Sequence, residues 1–227
     1  MESVMRLLQM TDSTFPVGTF SFSNGLETAA YEKIVYDKET LREFAKSQAR
    51  QAAFTDGVAA IAAYNQYKTG DIEKIIEIDE ELIRSKMNDE ARQMLQRMGK
   101  KMAELGLRLF PEDELISKWL EKIRGEETPG TYPVAQGIVF AAAGVGRKEL
   151  FCSHQYGVVN MVLGAALRTV KVSHYDTQEI LLELGEETEC LYEEVLKLTP
   201  ENMHAFFPQL DILASLHEKG AMRMFMN

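Results

Sequence analysis

The residues best suited to metal or nucleophilic chemistry in this chain are its few histidines and cysteines. The histidines are His154, His174, His204 and His217. No two of them stand four residues apart with a carboxylate, the spacing that forms a helical metal site. No Ser/His/Asp or Cys/His signature is present either. The sequence therefore predicts no catalytic, cofactor-binding or metal-binding residue. The alternative is a histidine at the surface that acts as a ligand shared between the two subunits of a dimer.

Two further groups of residues have both a chemical and a structural interpretation. Gly144–Lys148 is a glycine turn with two bases, but it lacks the GxxxxGK[ST] spacing that holds phosphates, so we interpret it as a helix end and a polar loop. Twelve methionines could bind a soft metal. Met94 and Met98 share a helical face, however, which favours a role in filling the core.

One segment has an unusual charge. Between Asp176 and Glu194 there are eight acidic residues and no basic one. Ile180, Leu184 and Leu191 still form an apolar face, so the acids would occupy the solvated back of a helix. The alternative is a docking surface for a basic partner.

The composition is that of an ordinary globular protein of 227 residues, with 45% hydrophobic and 26% charged residues. A net charge of −10 argues against nucleic acid or an anionic membrane as a partner, because both require a basic surface. The longest weakly polar run, Val134–Gly146, is shorter than the ~20 residues of a membrane span. Cys152 and Cys190 form no CxxC pair, so we expect free thiols and a cytoplasmic protein without a secretion signal.

The apolar residues follow a helical period almost everywhere, and alternating strands are missing. Residues 41–52 repeat apolar positions at i, i+3 and i+4 behind a start signal at Asp37, and a break is expected at Asp56-Gly57. The segment RGEETPGTYP (124–133) is expected to be a mobile loop. The sequence predicts an all-α fold: a single compact bundle of about ten helices in one domain spanning 1–227.

Two local predictions bear on the candidate site. Gly157–Leu167 is rich in small residues and is predicted to be the central core helix, with Asn160 buried and hydrogen-bonded. Asn24-Gly25-Leu26-Glu27 has the spacing of a capping box, and Leu26, Ala30 and Ile34 would form a buried stripe.

The stretch FPVGTFSFSNGLE (15–27) is the densest aromatic segment of the chain. Pro16 and Gly18 favour a tight turn, and three phenylalanines are many for one short loop to bury. Either some rings face outward as part of a protein interface, or all three plug the end of the bundle.

The sequence resembles the UreF family of urease accessory proteins. The family's N-terminal signature is close to FPxGxFxxSxGLE after a short LLQ segment, and this chain reads LLQMTDSTFPVGTFSFSNGLE at 7–27. Further similarity lies in the segments NDEAR with Met98-Gly99, YPVAQGIVFAAAG (132–144), the positions Asn160, Arg168 and Gln178, and a tail that resembles HE-x-x-x-x-RLF at 217–225. The matches follow one another in order over nearly the whole chain.

The resemblance implies a non-enzymatic helical scaffold that dimerises and binds the accessory protein UreD, also called UreH. The two recruit the GTPase UreG, so that nickel reaches apo-urease, and the scaffold could modulate the GTPase. The family places the N-terminal aromatic turn and the tail arginine at the partner surface, which here are Phe20, Glu27 and Arg223. The alternatives are a metalloenzyme built from Glu90, His154 and the acids of 176–194, or a helical adaptor unrelated to nickel.

Overall fold

The computed structural model describes residues 1–18, 22–205, 207–217 and 224–225. Two predicted partner residues, Phe20 and Arg223, lie outside this part of the chain. Within it there are eleven α-helices and no β-strand. The helices are Glu2–Thr11 (α1), Leu26–Tyr31 (α2), Lys38–Ala52 (α3), Val58–Tyr67 (α4), Ile72–Arg84 (α5), Asp89–Leu109 (α6), Glu114–Arg124 (α7), Tyr132–Ala142 (α8), Arg147–Thr169 (α9), His174–Val195 (α10) and Pro208–His217 (α11). The predicted all-α bundle of about ten helices is confirmed.

Short polar side chains cap the N-termini of several helices. Asp37 accepts a hydrogen bond from the backbone of Thr40 and forms a capping box with it, as its position before the apolar period predicts. Asp71, Asn88 and Asp113 each accept from a backbone N–H in the first turn of the helix that follows. These caps satisfy N–H groups that have no acceptor within their own helix.

The predicted break at Asp56-Gly57 is wrong, because the chain passes from α3 into α4 without leaving helical geometry. Ala53–Gly57 form a π-helical turn whose residues are all buried. Gly57 is needed there, since a Cβ at this position would lie 2.7 Å from the ring of Phe151. The single extra residue per turn changes which faces of α3 and α4 point into the core.

The central core helix is α8 and not the predicted Gly157–Leu167. Eight of the residues of α8, from Pro133 to Phe140, are buried, and the helix packs between α4 and α6. Gly137 lets it approach α4, because a Cβ there would collide with the backbone of Ala60. In α9 the buried residues alternate with accessible ones, and Asn160 is half-buried, not buried.

The segment predicted to be mobile is held in place by one buried carboxylate. Asp79 is fully buried in α5 and accepts from Thr128 Oγ1 at 2.7 Å, from the N–H groups of Gly130 and Thr131 at 2.6 and 2.9 Å, and from Thr131 Oγ1. Burial raises the pKa of Asp79, although all four donors favour its charged form. The loop between α7 and α8 is therefore part of the packed structure.

Charges on α10 are largely matched by charges on α3. Lys38, Arg42 and Lys46 are spaced four residues apart and form ion pairs with Glu179, Glu183 and Glu187, which are spaced in the same way. Lys148 in α9 pairs with Glu189 at 2.5 Å. Much of the acidic charge of α10 is thus neutralised within the chain, which weakens the interpretation of this helix as an acidic docking surface.

One helix of the described part, α9, meets the length and composition of a membrane span. Of the apolar window that does so, 56% is buried inside the protein. The helix packs against α2, α3 and α10, and core helices of globular proteins commonly meet the same criterion.

Candidate partner-binding site

The described rings of the N-terminal aromatic turn point into the bundle. Phe22 is buried in the same core cluster as Val17, and Phe15 packs against that cluster while remaining partly accessible. Of the three phenylalanines, two therefore contact the core. The third, Phe20, lies outside the described residues, so the choice between the two interpretations of this segment stays a prediction.

The predicted capping box at Asn24 and Glu27 is wrong. Asn24 and Gly25 have φ values of 51° and 79°, so this turn is left-handed, and the N-cap Gly25 has no side chain to accept a bond. Gly25 is required because a Cβ there would lie 3.1 Å from the backbone nitrogen of Ala214 in α11. The stripe is also shorter than predicted: α2 ends at Tyr31, and Ile34 is exposed.

The carboxylate of Glu27 forms hydrogen bonds with residues near the C-terminal end of the chain. It accepts hydrogen bonds from the backbone N–H groups of Met224 at 2.8 Å and Phe225 at 3.1 Å, and its Oε2 lies 3.0 Å from Nε2 of His217. On the other side of the ring, His217 Nδ1 lies 3.0 Å from Oε2 of Glu90 in α6. A carboxylate, an imidazole and a second carboxylate thus join α2, α6, α11 and the tail; we call this group the Glu27–His217–Glu90 junction.

Electrostatics favour the charged form of Glu27. Burial alone would raise the pKa of this carboxyl group, but the N–H of Met224, the His217 ring and the N–H of Phe225 together lower it below the ordinary value of 4.5. Both ring nitrogens of His217 lie within hydrogen-bonding distance of a carboxylate oxygen. The junction therefore holds separate chain segments together, and among the described residues it is not a group that could hold a metal ion.

The tail is also held by its aromatic residue. Phe225 is buried in the core cluster that contains Leu26 and Leu41. The guanidinium of Arg168 at the end of α9 lies 5.6 Å from the centre of the Phe225 ring, a cation–π distance. Arg168 thus acts in the structure as a contact of the tail.

A cavity of about 400 Å³ lies beside this junction, between the end of α1 with the turn that follows and the accessible face of α9. Phe15, Asn160, Arg168 and Phe225 are among its lining residues. The cavity is concave and mixed in polarity, and it brings together Phe15 and Val17 of the N-terminal turn with Phe225 of the tail.

A second polar group lies inside the bundle, close to α11. Lys86 Nζ lies 2.5 Å from Oδ2 of Asp56, and His154 Nδ1 lies 2.9 Å from Oε1 of Gln136. Burial raises the pKa of Asp56, but Lys86, His154 and Thr55 together lower it below its ordinary value, whereas burial lowers the pKa of His154. The adjoining cavity of about 120 Å³ has room for a few water molecules.

Nothing in the described part of the chain supports the predicted metalloenzyme alternative. Glu90 binds His217 in the junction, His154 binds Gln136, and the acids of α10 face α3 and solvent. Among the described residues no three His, Cys, Asp or Glu side chains are arranged to hold a metal ion.

Sequence reasoning missed the roles of His217, Glu90 and Asp79. His217 was considered for metal or nucleophilic chemistry and Glu90 for the metalloenzyme alternative, but neither was predicted to bind the other. His217 lies 127 and 190 residues from its two partners along the chain. In the sequence, Asp79 interrupts the apolar face of an otherwise amphipathic helix. That interruption was the one local sign of a buried acid, which needs hydrogen-bond donors.

Comparison with known proteins relates this chain to urease accessory proteins. The family model described as UreF matches residues 35–185. "Urease accessory protein UreF 2" of Brucella canis is 46% identical over 224 residues, which cover 99% of this chain and 92% of the relative. "Urease accessory protein UreF" of Yersinia pseudotuberculosis serotype IB is 42% identical over 226 residues, covering 99% of this chain and 98% of the relative.

Proposed function

Because the chain belongs to the UreF family of urease accessory proteins, we propose that it is a non-enzymatic scaffold in urease maturation. In this proposal it binds the accessory protein UreD (UreH) in the cytoplasm. It then recruits the GTPase UreG, modulating its activity, so that nickel is inserted into apo-urease. The scaffold acts as a homodimer and needs no cofactor of its own.

The observation that best supports a partner surface is the Glu27–His217–Glu90 junction. Glu27 follows the aromatic turn and receives the N–H of Met224, the residue after Arg223. The segments that carry Phe20 and Arg223 are therefore joined at one place, although the two are about two hundred residues apart. We infer that both residues contribute to one surface that binds UreG, and that Glu27 contributes by holding the tail in position.

The test is a pair of measurements on Phe20→Ala and Arg223→Ala. An aromatic residue beside an arginine is typical of binding hot spots, where truncation can cost about 2 kcal/mol or more of binding free energy. We expect each variant to retain UreD, to lose most UreG in a pull-down, and to reduce urease activation. The melting temperature should stay close to that of the parent, because changes at exposed positions alter stability by about 0.5 kcal/mol or less.

A matched control is Tyr175→Ala, which removes an aromatic residue that is 83% exposed at the start of α10. It should leave both the melting temperature and UreG recruitment unchanged. Unfolding of the Phe20 or Arg223 variant would assign that residue to the core or to a helix end instead. Full UreG recruitment by both variants would reject the proposed surface.

A further inference from the structure

A groove on another face of the bundle lies between α3, α9 and α10. It encloses about 140 Å³, and its apolar lining includes Val159, Leu184 and Leu191. Gln155, Arg50 and Gly185 contribute to the same lining. We call it the Gln155 groove. It belongs neither to the junction nor to the cavity beside the tail.

Gln155 is the first sign that the groove has an occupant. Its side chain is 97% buried, since only 3% of its surface is exposed, and neither its Oε1 nor its Nε2 has a hydrogen-bond partner among the described residues. Leaving a buried carboxamide unpaired is costly, so such groups nearly always have a partner. A carboxamide offers one acceptor and a donor side by side, which is the complement of a peptide group.

Gly185 is a second, independent sign. It lies in the middle of α10, where glycine weakens a helix relative to alanine. Gly99 and Gly137 are explained by the chain's own packing, because a Cβ at either would collide with backbone atoms. At Gly185 a Cβ would have no neighbour within 4 Å, as is also the case at Gly157 and Gly164 in α9. Of these three glycines Gly185 lines the groove, where the open space leaves room for a second backbone.

Arg50 indicates the charge of the occupant. Its neighbour along the groove, Lys46, is paired with Glu187 at 2.5 Å. Arg50 is partly accessible and has no ion pair within the described part of the chain. It does not stand at a free helix end either, because α3 continues directly into the π-helical turn. A guanidinium in this setting suits a carboxylate, which it can hold with two hydrogen bonds.

From these three features we propose that the Gln155 groove is a docking site for an extended, acidic segment of a partner protein. A peptide group of the segment pairs with the carboxamide of Gln155, an apolar side chain contacts Leu184 and Leu191, and a carboxylate binds Arg50. Gly185 leaves room for the backbone of the segment. This site is separate from the surface proposed for Phe20 and Arg223.

The experiment is an NMR titration of the full chain with two blocked dipeptides, N-acetyl-Asp-Leu-N-methylamide and its charge-reversed counterpart N-acetyl-Lys-Leu-N-methylamide. The side-chain NH₂ signals of Gln155 are assigned from their absence in Gln155→Leu. At millimolar concentration we expect the Asp peptide to shift these signals in a saturable manner and the Lys peptide to bind about tenfold more weakly or not at all. Arg50→Gln should remove this preference.

Two variants separate docking from internal packing. Gln155→Leu has nearly the same volume and no unpaired amide, so it should melt at a higher temperature than the parent and no longer bind the Asp peptide. Gly185→Ala should also melt higher, because alanine favours the helix, yet bind the peptide more weakly. If Gln155→Leu melts lower, the amide has a partner within the chain and the proposal fails.

Gln155 signals that respond to neither peptide would mean that the groove holds only water, and would overturn the proposal. Equal responses to both peptides would overturn the role of Arg50 and with it the acidic occupant. No urease component enters the titration. Its outcome therefore leaves the proposed role in urease maturation untouched, and the pull-down on Phe20 and Arg223 leaves the groove untouched.

Discussion

At the scale of single residues, Glu27 shows how one carboxylate can hold two ends of a chain. Its oxygens accept from two backbone N–H groups of the tail and from the ring of His217. Hydrogen bonds to a charged group are stronger than those between neutral groups, and a buried donor that loses its acceptor is costly. The position of the tail therefore depends on the charge of this side chain.

Glu27→Gln tests that dependence with little change of shape. The amide cannot replace both oxygens as acceptors, so we expect a loss of roughly 1–3 kcal/mol in the free energy of unfolding near neutral pH. The folded-state pKa of Glu27 is lowered, so its contribution is complete above the ordinary value of 4.5 and is lost as the pH falls below it. The difference in melting temperature between parent and variant should shrink in acid.

The matched control is Glu32→Gln, which alters an exposed acid just beyond α2 and should melt like the parent at every pH. A parent–variant difference for Glu27→Gln that stays constant down to acid pH would show that the charge of Glu27 does not hold the tail.

Residues with local partners could be predicted from the sequence, and residues with distant partners could not. Asp37 was placed correctly, because it caps the helix that starts at the next residue. Glu27 was assigned to a local capping box on spacing alone. The left-handed turn at Asn24-Gly25 prevents that bond, and the actual partners are about 190 residues away, a distance that no local pattern encodes.

At the scale of elements, close approach of α6 to the loop before α8 depends on one glycine. A Cβ at Gly99 would collide with the backbone of Gly130 and Thr131, two residues whose N–H groups are bound by Asp79. Backbone fixed by buried hydrogen bonds cannot move away as a flexible side chain could. The Met98-Gly99 pair noted in the sequence thus has a steric cause.

Gly99→Ala should therefore be strongly destabilising, by about 3 kcal/mol or more in urea unfolding, which is at the upper end for overpacked sites. Gly164→Ala in α9 is the matched control, because a Cβ there meets nothing within 4 Å. That control should be stabilised by about 0.5–1 kcal/mol through better helix propensity. Similar behaviour of the two variants would contradict the predicted collision.

The ion pairs between α3 and α10 are a second feature at this scale. Exposed pairs contribute about 0.2–1 kcal/mol each and are screened by salt. Replacing Lys38, Arg42 and Lys46 together by glutamine should lower the melting temperature more at low salt than at high salt. The same replacement at Lys33, Lys68 and Lys100, three exposed lysines, changes the net charge equally.

The melting temperatures of the two triple variants must depend differently on salt if the ion pairs between α3 and α10 stabilise this helix pair. An equal dependence on salt would show that only net charge matters. The acids of α10 had been interpreted from the sequence as a solvated face, with a docking surface as the alternative. Periodicity identified the apolar face correctly, but it could not show that a basic stripe on α3 lies alongside.

The positions of helices along the sequence were predicted better than how deeply each helix is buried. The apolar period of residues 41–52 located α3 well, since this helix is amphipathic and covered on one side. The central helix was misjudged, because α8 and α9 are both rich in small apolar residues. Only the packing shows that α8 is enclosed by α4 and α6 while α9 keeps an accessible face.

At the scale of the molecule, α1 presents an apolar stripe that the described part of the chain leaves uncovered. Met1, Val4, Met5 and Leu8 are more than half exposed, while Met10 is buried. The helix is nevertheless fixed to the bundle, because the guanidinium of Arg6 donates to the carbonyl of Ala143 at 2.8 Å and lies 5.7 Å from the ring centre of Phe110. Adjacent exposed apolar side chains on a fixed helix favour burial against another protein surface.

We expect a second copy of the chain to cover this stripe in the proposed homodimer. Met5→Glu combined with Leu8→Glu places two charges in it, which should weaken self-association at least tenfold, or about 1.4 kcal/mol, and shift sedimentation toward the monomer. Helicity and melting should be unchanged, since both side chains are solvated in the monomer.

Leu182→Glu, at a position 71% exposed on α10, is the control and should sediment like the parent. Identical sedimentation of variant and control, or a one-to-one complex with UreD and nothing larger, would show that α1 does not form the dimer interface.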